Sequence, residues 1–137
     1  MTGEMTAAEL DSNDRELIDA AHETRKRLYL KGRHEVASAL RTTSGEIFAG
    51  IHIEADVGFA DVCGEVAAIC HALAHGHRDI ETLVALGGGA PNDPDIMAPC
   101  GRCRKVISCF NREAWVIVGT IARPFKVRVA ELLPLKP

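Results

Sequence analysis

Two short cysteine stretches constrain this chain more than anything else in it. Cys63-Gly64-Glu65 opens an apolar run, and Pro99-Cys100-Gly101-Arg102-Cys103 follows, with Cys100 37 positions after Cys63. Three thiolates can hold one zinc and leave its fourth position open. An open position distinguishes a catalytic zinc from a structural one, which takes four protein ligands. Glu65 lies two residues past a ligand. It cannot easily bind the same ion, but it can reach a water held there. Zinc makes such a water a nucleophile at neutral pH, and a neighbouring carboxylate can carry its proton, first as base and then as acid. Cys63, Cys100 and Cys103 are therefore the candidate ligands, and Glu65 is the candidate catalytic group.

The surrounding periodicity places both stretches on helices. After Cys63, the apolar residues Val66, Ile69, Cys70 and Leu73 recur at spacings of three and four, and Gly76 suits a C-terminal cap. After Cys100, the residues Cys103, Val106, Ile107 and Phe110 repeat the pattern, with Pro99 fitted to a first turn. A helix N-terminus carries unpaired N–H groups and partial positive charge, which favour thiolates. Cys100 and Cys103, three apart, face the same way. A structural zinc knot would need a fourth ligand, for which His52 and His71 are the candidates. The proline before the second pair and the glutamate after the first cysteine favour the catalytic reading.

The rest of the chain reads as alternating elements. Residues 1–13 are polar and predicted to be frayed; residues 14–137 are predicted to form a single domain. Asn13-Asp14-Arg15-Glu16 has the form of a capping box, opening a helix to about Leu30 with Leu17, Ile18, Ala21 and Leu28 inward. Residues 36–41 and 46–54 read as a hairpin across Thr42-Thr43-Ser44-Gly45. In its second strand Ile47, Ala49, Ile51 and Ile53 share one face, and Phe48, Gly50, His52 and Glu54 the other. A further strand spans 80–86. The Gly-rich 87–94 is a turn, because it lacks the spacing of a phosphate cradle. Residues 114–118 read as a buried strand, and 125–129 as a half-exposed one with Lys126 and Arg128 outward. The order α-β-β-α-β-α-β-β predicts an α/β fold, a three-layer α/β/α sandwich with a mixed five-stranded sheet. The two cysteine helices would converge at strand C-terminal ends, where such sheets bind ligands.

Composition narrows the function classes. Aromatics make up only 4% of 137 residues and the net charge is −3, which disfavours a nucleic-acid polymer as partner. The one basic cluster, Arg25, Lys26, Arg27, Lys31 and Arg33, reads as a solvated helix end. No run is long enough to span a membrane and no secretion signal is visible, so a cytoplasmic protein is expected. With five cysteines, a disulfide framework is not expected. Cys70 and Cys109 are predicted to be core residues.

These residues resemble the cytidine deaminase family, which includes blasticidin S deaminase. The resemblance covers about residues 34–134. Cys63-Gly64-Glu65 looks like the family's C-A-E, and Pro99-Cys100-Gly101-Arg102-Cys103-Arg104 like its P-C-G-x-C-R. Gly50-Ile51-His52-Ile53-Glu54 looks like its G-V-N-x-E, and Glu131-Leu132-Leu133-Pro134 like its E-L-L-P. The resemblance implies zinc on Cys63, Cys100 and Cys103 and a proton shuttle at Glu65. It also implies the Gly64 N–H on a pyrimidine 2-oxo group, and Glu54 on ribose hydroxyls. It further implies a homotetramer that completes its sites between subunits, with a place in pyrimidine salvage. The substrate it implies is a small amino-pyrimidine, with cytidine or deoxycytidine converted to uridine or deoxyuridine and ammonia.

Four positions depart from the family. His52 stands where a ribose-binding Asn is usual, and His34 where an aromatic residue is usual. Val66 replaces an Arg that contacts the thiolates, and the chain ends without a terminal aromatic. His34 and His52 join the candidate substrate contacts, and the alternative substrate is a blasticidin-like antibiotic, a modified cytosine or another amino-heterocycle. The non-enzymatic alternative is a zinc-stabilised interaction domain.

Overall fold

The computed structural model describes residues 7–133. Helix α1 spans Ser12–Leu28, starting earlier than the sequence pattern suggests. Its cap is Asp11, whose carboxylate accepts the Asp14 N–H at 2.9 Å, while the Asp14 carboxylate accepts the Asp11 N–H at 3.0 Å. This is a capping box built from two aspartates, so Asn13 falls inside the helix. Leu17 and Ala21 are fully buried, but Leu28 is exposed.

Strand β1, Ala37–Thr42, is buried along its whole length and pairs antiparallel with β2, Ile47–Ile51. Gly45 in the connecting turn has φ +92°, a conformation that favours glycine. The regular part of β2 stops at Ile51; Ile53 then makes an isolated bridge to Val62. After β3, Ile80–Gly87, come the short β4, Asp95–Ile96, then β5, Trp115–Gly119, and β6, Pro124–Arg128. The sheet order is β2-β1-β3-β5-β6, with β4 attached to the end of β3. It is mixed as expected, with six strands rather than five. β3 and β5 are parallel, while β2 and β3 flank β1 and are each antiparallel to it.

Two helices make the crossovers: α2, Gly64–Ala74, leads from β2 to β3, and α3, Gly101–Phe110, from β3 to β5. Both pack on one face of the sheet, where Ala68, Ile69, Ala72 and Ile107 meet Leu40, Leu83 and Val116. On the opposite face Leu17 and Ala21 of α1 meet Ala39, Val84 and Ile117. The three-layer sandwich follows from this division.

α2 lies almost on the backbone of β2. A Cβ on Gly50 would sit 2.3 Å from the Ala68 nitrogen. That close approach selects alanine for the contact, so the buried face of α2 is Glu65, Ala68, Ile69 and Ala72. Cys70 and Leu73, predicted to be inward, are exposed. Cys109 on α3 is exposed as well, so neither extra cysteine is a core residue.

Two charged residues are also displaced from their expected places. Lys126 is buried, because the start of α1 covers β6: its ammonium donates to Asp14 at 2.7 Å. Ala8 pairs with Lys126 through two backbone hydrogen bonds, of 2.9 and 3.0 Å. Residues 7–13 are thus tied to the sheet rather than frayed, whereas 1–6 lie outside the described residues. Arg25, expected at a solvated helix end, is wholly buried. Its guanidinium turns inward to backbone carbonyls instead of outward to water. Pro134 of the terminal E-L-L-P and the closing 135–137 also lie outside the described residues. Among the described residues no helix is long and apolar enough to cross a membrane.

Candidate metal centre

The N-termini of α2 and α3 bring the cysteines together. Cys63 is the N-cap of α2, Cys100 is the N-cap of α3, and Cys103 lies in the first turn of α3. Their sulfurs all lie within 4.8 Å of one another. The Cys63 and Cys100 sulfurs are 3.8 Å apart. Zinc–sulfur bonds of about 2.3 Å in a tetrahedron require sulfurs about 3.8 Å apart, so this pair fits the ion. No fourth His, Cys, Asp or Glu joins the cluster among the described residues. His71, one of the two candidates for that place, donates its Nδ1–H to the Ala49 carbonyl at 2.8 Å.

The electrostatics of the cluster call for a cation. Burial pushes the Cys103 thiol far up, and the charges of Glu65 and of the neighbouring thiols add to the effect. Burial also acts on Cys100, but hydrogen bonds from the Cys103 and Arg102 backbone N–H groups and from the other thiols bring its pKa below the ordinary value. Those N–H groups are the unpaired donors of the α3 N-terminus. Three adjacent thiolates repel one another, and a divalent ion offsets that repulsion. One protein cation already helps: Arg102 Nη2 donates to Cys63 Sγ at 3.3 Å and to the Asp61 carbonyl at 3.2 Å. Arg102, inside the second cysteine stretch, supplies the positive charge from the other helix.

Glu65 is only 5% exposed. Burial raises its carboxyl above the usual range, and hydrogen bonds with its own backbone and with Cys103 only partly oppose the rise. No arginine or lysine pairs with it among the described residues. A buried carboxyl without a cation takes up and gives back a proton more readily at neutral pH than an ordinary glutamate.

A pocket of about 130 Å³ opens beside this group, lined by Cys63, Gly64, Glu65 and Cys100 from the helix starts and by Val36, His52, Met97 and Ala98. His52 is held in one tautomer. The Glu35 N–H donates to its Nδ1 at 3.3 Å, so the neutral ring carries its proton on Nε2 and is a donor there. His34 sits behind it, its Nδ1–H donating to the His52 carbonyl at 2.8 Å, and does not line the pocket. Glu54 is exposed and lies outside the lining; its Oε2 would be 3.9 Å from a Cβ on Gly32. Gly64 is pressed on β1, where a Cβ would meet the Val36 carbonyl oxygen at 3.0 Å. Of the eight candidate residues, the structure gathers Cys63, Cys100, Cys103, Glu65, Gly64 and His52, and leaves His34 and Glu54 at the margin. Val36, Met97, Ala98 and Arg102 were not singled out from sequence. Arg102 had a signal, its place between two ligands; the apolar three had none.

The model of the cytidine and deoxycytidylate deaminase zinc-binding region matches residues 11–119. The chain belongs to this family. Blasticidin-S deaminase of Bacillus cereus is 35% identical over 96% of this chain and 97% of its own length. A probable cytidine deaminase of Dictyostelium discoideum is 28% identical over 85% of this chain and 78% of its own. Among solved structures, the cytidine deaminase of Burkholderia pseudomallei superposes with a TM-score of 0.74 at 27% identity, covering 88% of this chain and 95% of that one. That of Mycobacterium leprae shares the fold, with a TM-score of 0.75 at 24% identity over 91% and 100% of the two chains. The cofactor of this deaminase is zinc, and its reaction type is hydrolysis of a carbon–nitrogen bond. The reading as a non-enzymatic zinc-stabilised domain is set aside.

Proposed function

We propose that this deaminase removes the exocyclic amine of a cytosine ring in a small nucleoside. Its preferred substrate would be a blasticidin S-like nucleoside rather than cytidine. Cys63, Cys100 and Cys103 hold the zinc, which supplies a nucleophile from water at neutral pH. Glu65 would take one proton from the attacking water and deliver it to the ring nitrogen, then take the second from the hydroxyl added to the ring carbon and pass it to the departing amine, which leaves as ammonia. Gly64 offers its backbone N–H to the ring's 2-oxo group. The ring lies against Val36 and Met97, and His52 donates from Nε2 to an acceptor on the sugar side.

One observation carries the substrate preference: His52 lines the pocket as a single fixed donor, while Glu54 stands outside the lining. An asparagine amide at that position would both donate and accept, but this imidazole only donates toward substrate. A ribose hydroxyl left unpaired costs about 1–3 kcal/mol, roughly ten- to a hundredfold in binding. The full-length similarity to a blasticidin-S deaminase supports the same preference. Steady-state kinetics on blasticidin S, cytidine, deoxycytidine and cytosine, read as ammonia release, test it. We expect kcat/KM for blasticidin S at least tenfold above that for cytidine. Cytidine equal or better would establish the second reading, an ordinary cytidine deaminase, which the Dictyostelium relative and the solved structures favour.

Glu54 then acts from the rim on the sugar, so Glu54→Ala lowers kcat/KM for nucleosides more than for cytosine. An equal loss on both would remove it from the sugar side. The working form is a cytoplasmic homotetramer. The exposed Cys70 and Leu73 of α2 and Phe59, 90% exposed four positions before Cys63, are surfaces that subunit contact would cover. Light scattering at micromolar concentration should give about four times the 14.8 kDa of the chain; a monomer contradicts it.

A further inference from the structure

Arg25 is the largest side chain buried entirely in the described protein, and it has no carboxylate partner among the described residues. Its guanidinium instead meets five backbone carbonyls. Nε donates to Glu35 at 2.7 Å; Nη1 to Ala90 at 2.7 Å and Pro91 at 3.2 Å; Nη2 to Gly88 at 2.9 Å and Gly89 at 3.0 Å. A guanidinium has five N–H donors in a fixed fork, so every donor has an acceptor. The Tyr29 ring lies 5.1 Å from the guanidinium carbon. Burying a charge is costly unless its surroundings replace water, and here consecutive loop carbonyls do so.

The two segments joined by Arg25 lead into the pocket lining that bears no zinc ligand: Glu35 precedes Val36, and the 88–91 loop runs on to Met97 and Ala98. Glu35, which Arg25 holds by its carbonyl, donates its N–H to His52, and the next residue, Val36, accepts the His52 N–H at 2.8 Å. Beyond the loop, β4 leads directly to Met97, whose N–H donates to Ala85 at 2.9 Å, and to Ala98. The walls meet over Gly87, where a Cβ would lie 2.2 Å from Met97 Sδ and 2.9 Å from Val36 Cγ2. The spacing between Val36 with His52 and Met97 with Ala98 therefore depends on both the bare Gly87 and the clamp of Arg25. The rest of the lining comes from the α2 and α3 N-termini, to which Arg25 makes no hydrogen bond.

We propose that Arg25 is a positioning residue that sets the distance between the substrate-facing walls, without acting on the zinc or on Glu65. The proposal rests on the pocket being the nucleoside site described above. The lysine ammonium has three donors and no fork, so Arg25→Lys leaves at least two carbonyls unmet, and Arg25→Met leaves all five. For blasticidin S and cytidine we expect KM to rise about tenfold or more in Arg25→Met and by less in Arg25→Lys. In both variants kcat should stay within about threefold and zinc near one per chain. A purely structural residue would lower stability and leave KM of the folded fraction unchanged.

Should both variants fail to fold, hydrogen exchange on Glu65→Gln with and without blasticidin S replaces them. Gain of protection in 34–36 and 88–98 together supports the clamp; gain in only one segment, or in neither, overturns it. An active wild type whose KM is unchanged in Arg25→Met overturns the role of Arg25 alone. A wild type that deaminates no cytosine nucleoside overturns the proposed function, and this inference with it.

Discussion

Asp14 and Glu65 are both carboxylates buried near a helix N-terminus, and their surroundings drive them in opposite directions. Asp14, wholly buried at the start of α1, accepts from Lys126 at 2.7 Å, from Arg41 at 3.0 Å and from the Asp11 N–H at 3.0 Å. Burial alone would raise its pKa, but the bonds from Lys126, Asp11 and Arg41 win and hold it below the ordinary value. Glu65 is nearly as buried, has no lysine or arginine partner among the described residues, and burial pushes it up. Asp14 is thereby fixed as an anion that joins α1 to β1 and β6. Glu65 is left able to exchange its proton, at a cost in stability that a structural carboxylate does not carry. The sheet separates the two: the α1 side satisfies its buried charge, and the α2–α3 side leaves a carboxyl for chemistry.

The largest effect that sharpens this contrast is on activity. Glu65→Gln should lower kcat about 10²–10⁴-fold, with zinc content and unfolding midpoint close to wild type. A variant retaining more than a tenth of kcat would remove Glu65 from proton transfer.

Asp14→Ala should do the reverse. Removing the carboxylate leaves Lys126 with only the more distant Asp11, at 3.9 Å, and Arg41 with only Glu81 as ion-pair partners among the described residues, a loss of about 3–5 kcal/mol by urea unfolding, with KM of the folded fraction unchanged. The pH dependence carries the same sign. A folded pKa below the unfolded value of 3.8 means the stabilisation is complete above 3.8 and is lost as pH falls through the folded pKa. Wild type should lose stability over that acid range more steeply than Asp14→Asn. Equal slopes would show that the network does not depend on the Asp14 charge.

The smallest effect belongs to Arg102, which touches a ligand rather than the substrate. Arg102→Met should weaken zinc affinity about 10- to 100-fold, measured by competition with a chelator, and leave the fold intact. Unchanged affinity would mean that its contact with Cys63 carries no weight in metal binding.

What could be read from the sequence was local. The three ligands and Glu65 lie within a few residues of two helix starts, and the strand–helix alternation around them predicts that those starts converge. The hairpin and the alternation of strand and helix were legible for the same reason. The errors came from long-range contacts. Lys126 looked solvent-facing because its partner Asp14 is 112 positions away. Arg25 looked like a solvated helix end because four of its five acceptors are carbonyls 63 to 66 residues on, and carbonyls leave no trace in side-chain pattern. On α2, alanines on every side made the periodicity ambiguous. The bare Gly50 decided the buried face, placing Cys70 and Leu73 outside.

The central claim is that Cys63, Cys100 and Cys103 alone hold a zinc beside Glu65. Metal analysis of wild type and Cys100→Ala, each purified without added metal, tests it most directly. The account predicts close to one zinc per chain in wild type and most of it lost in the variant. Full zinc occupancy in Cys100→Ala would contradict it.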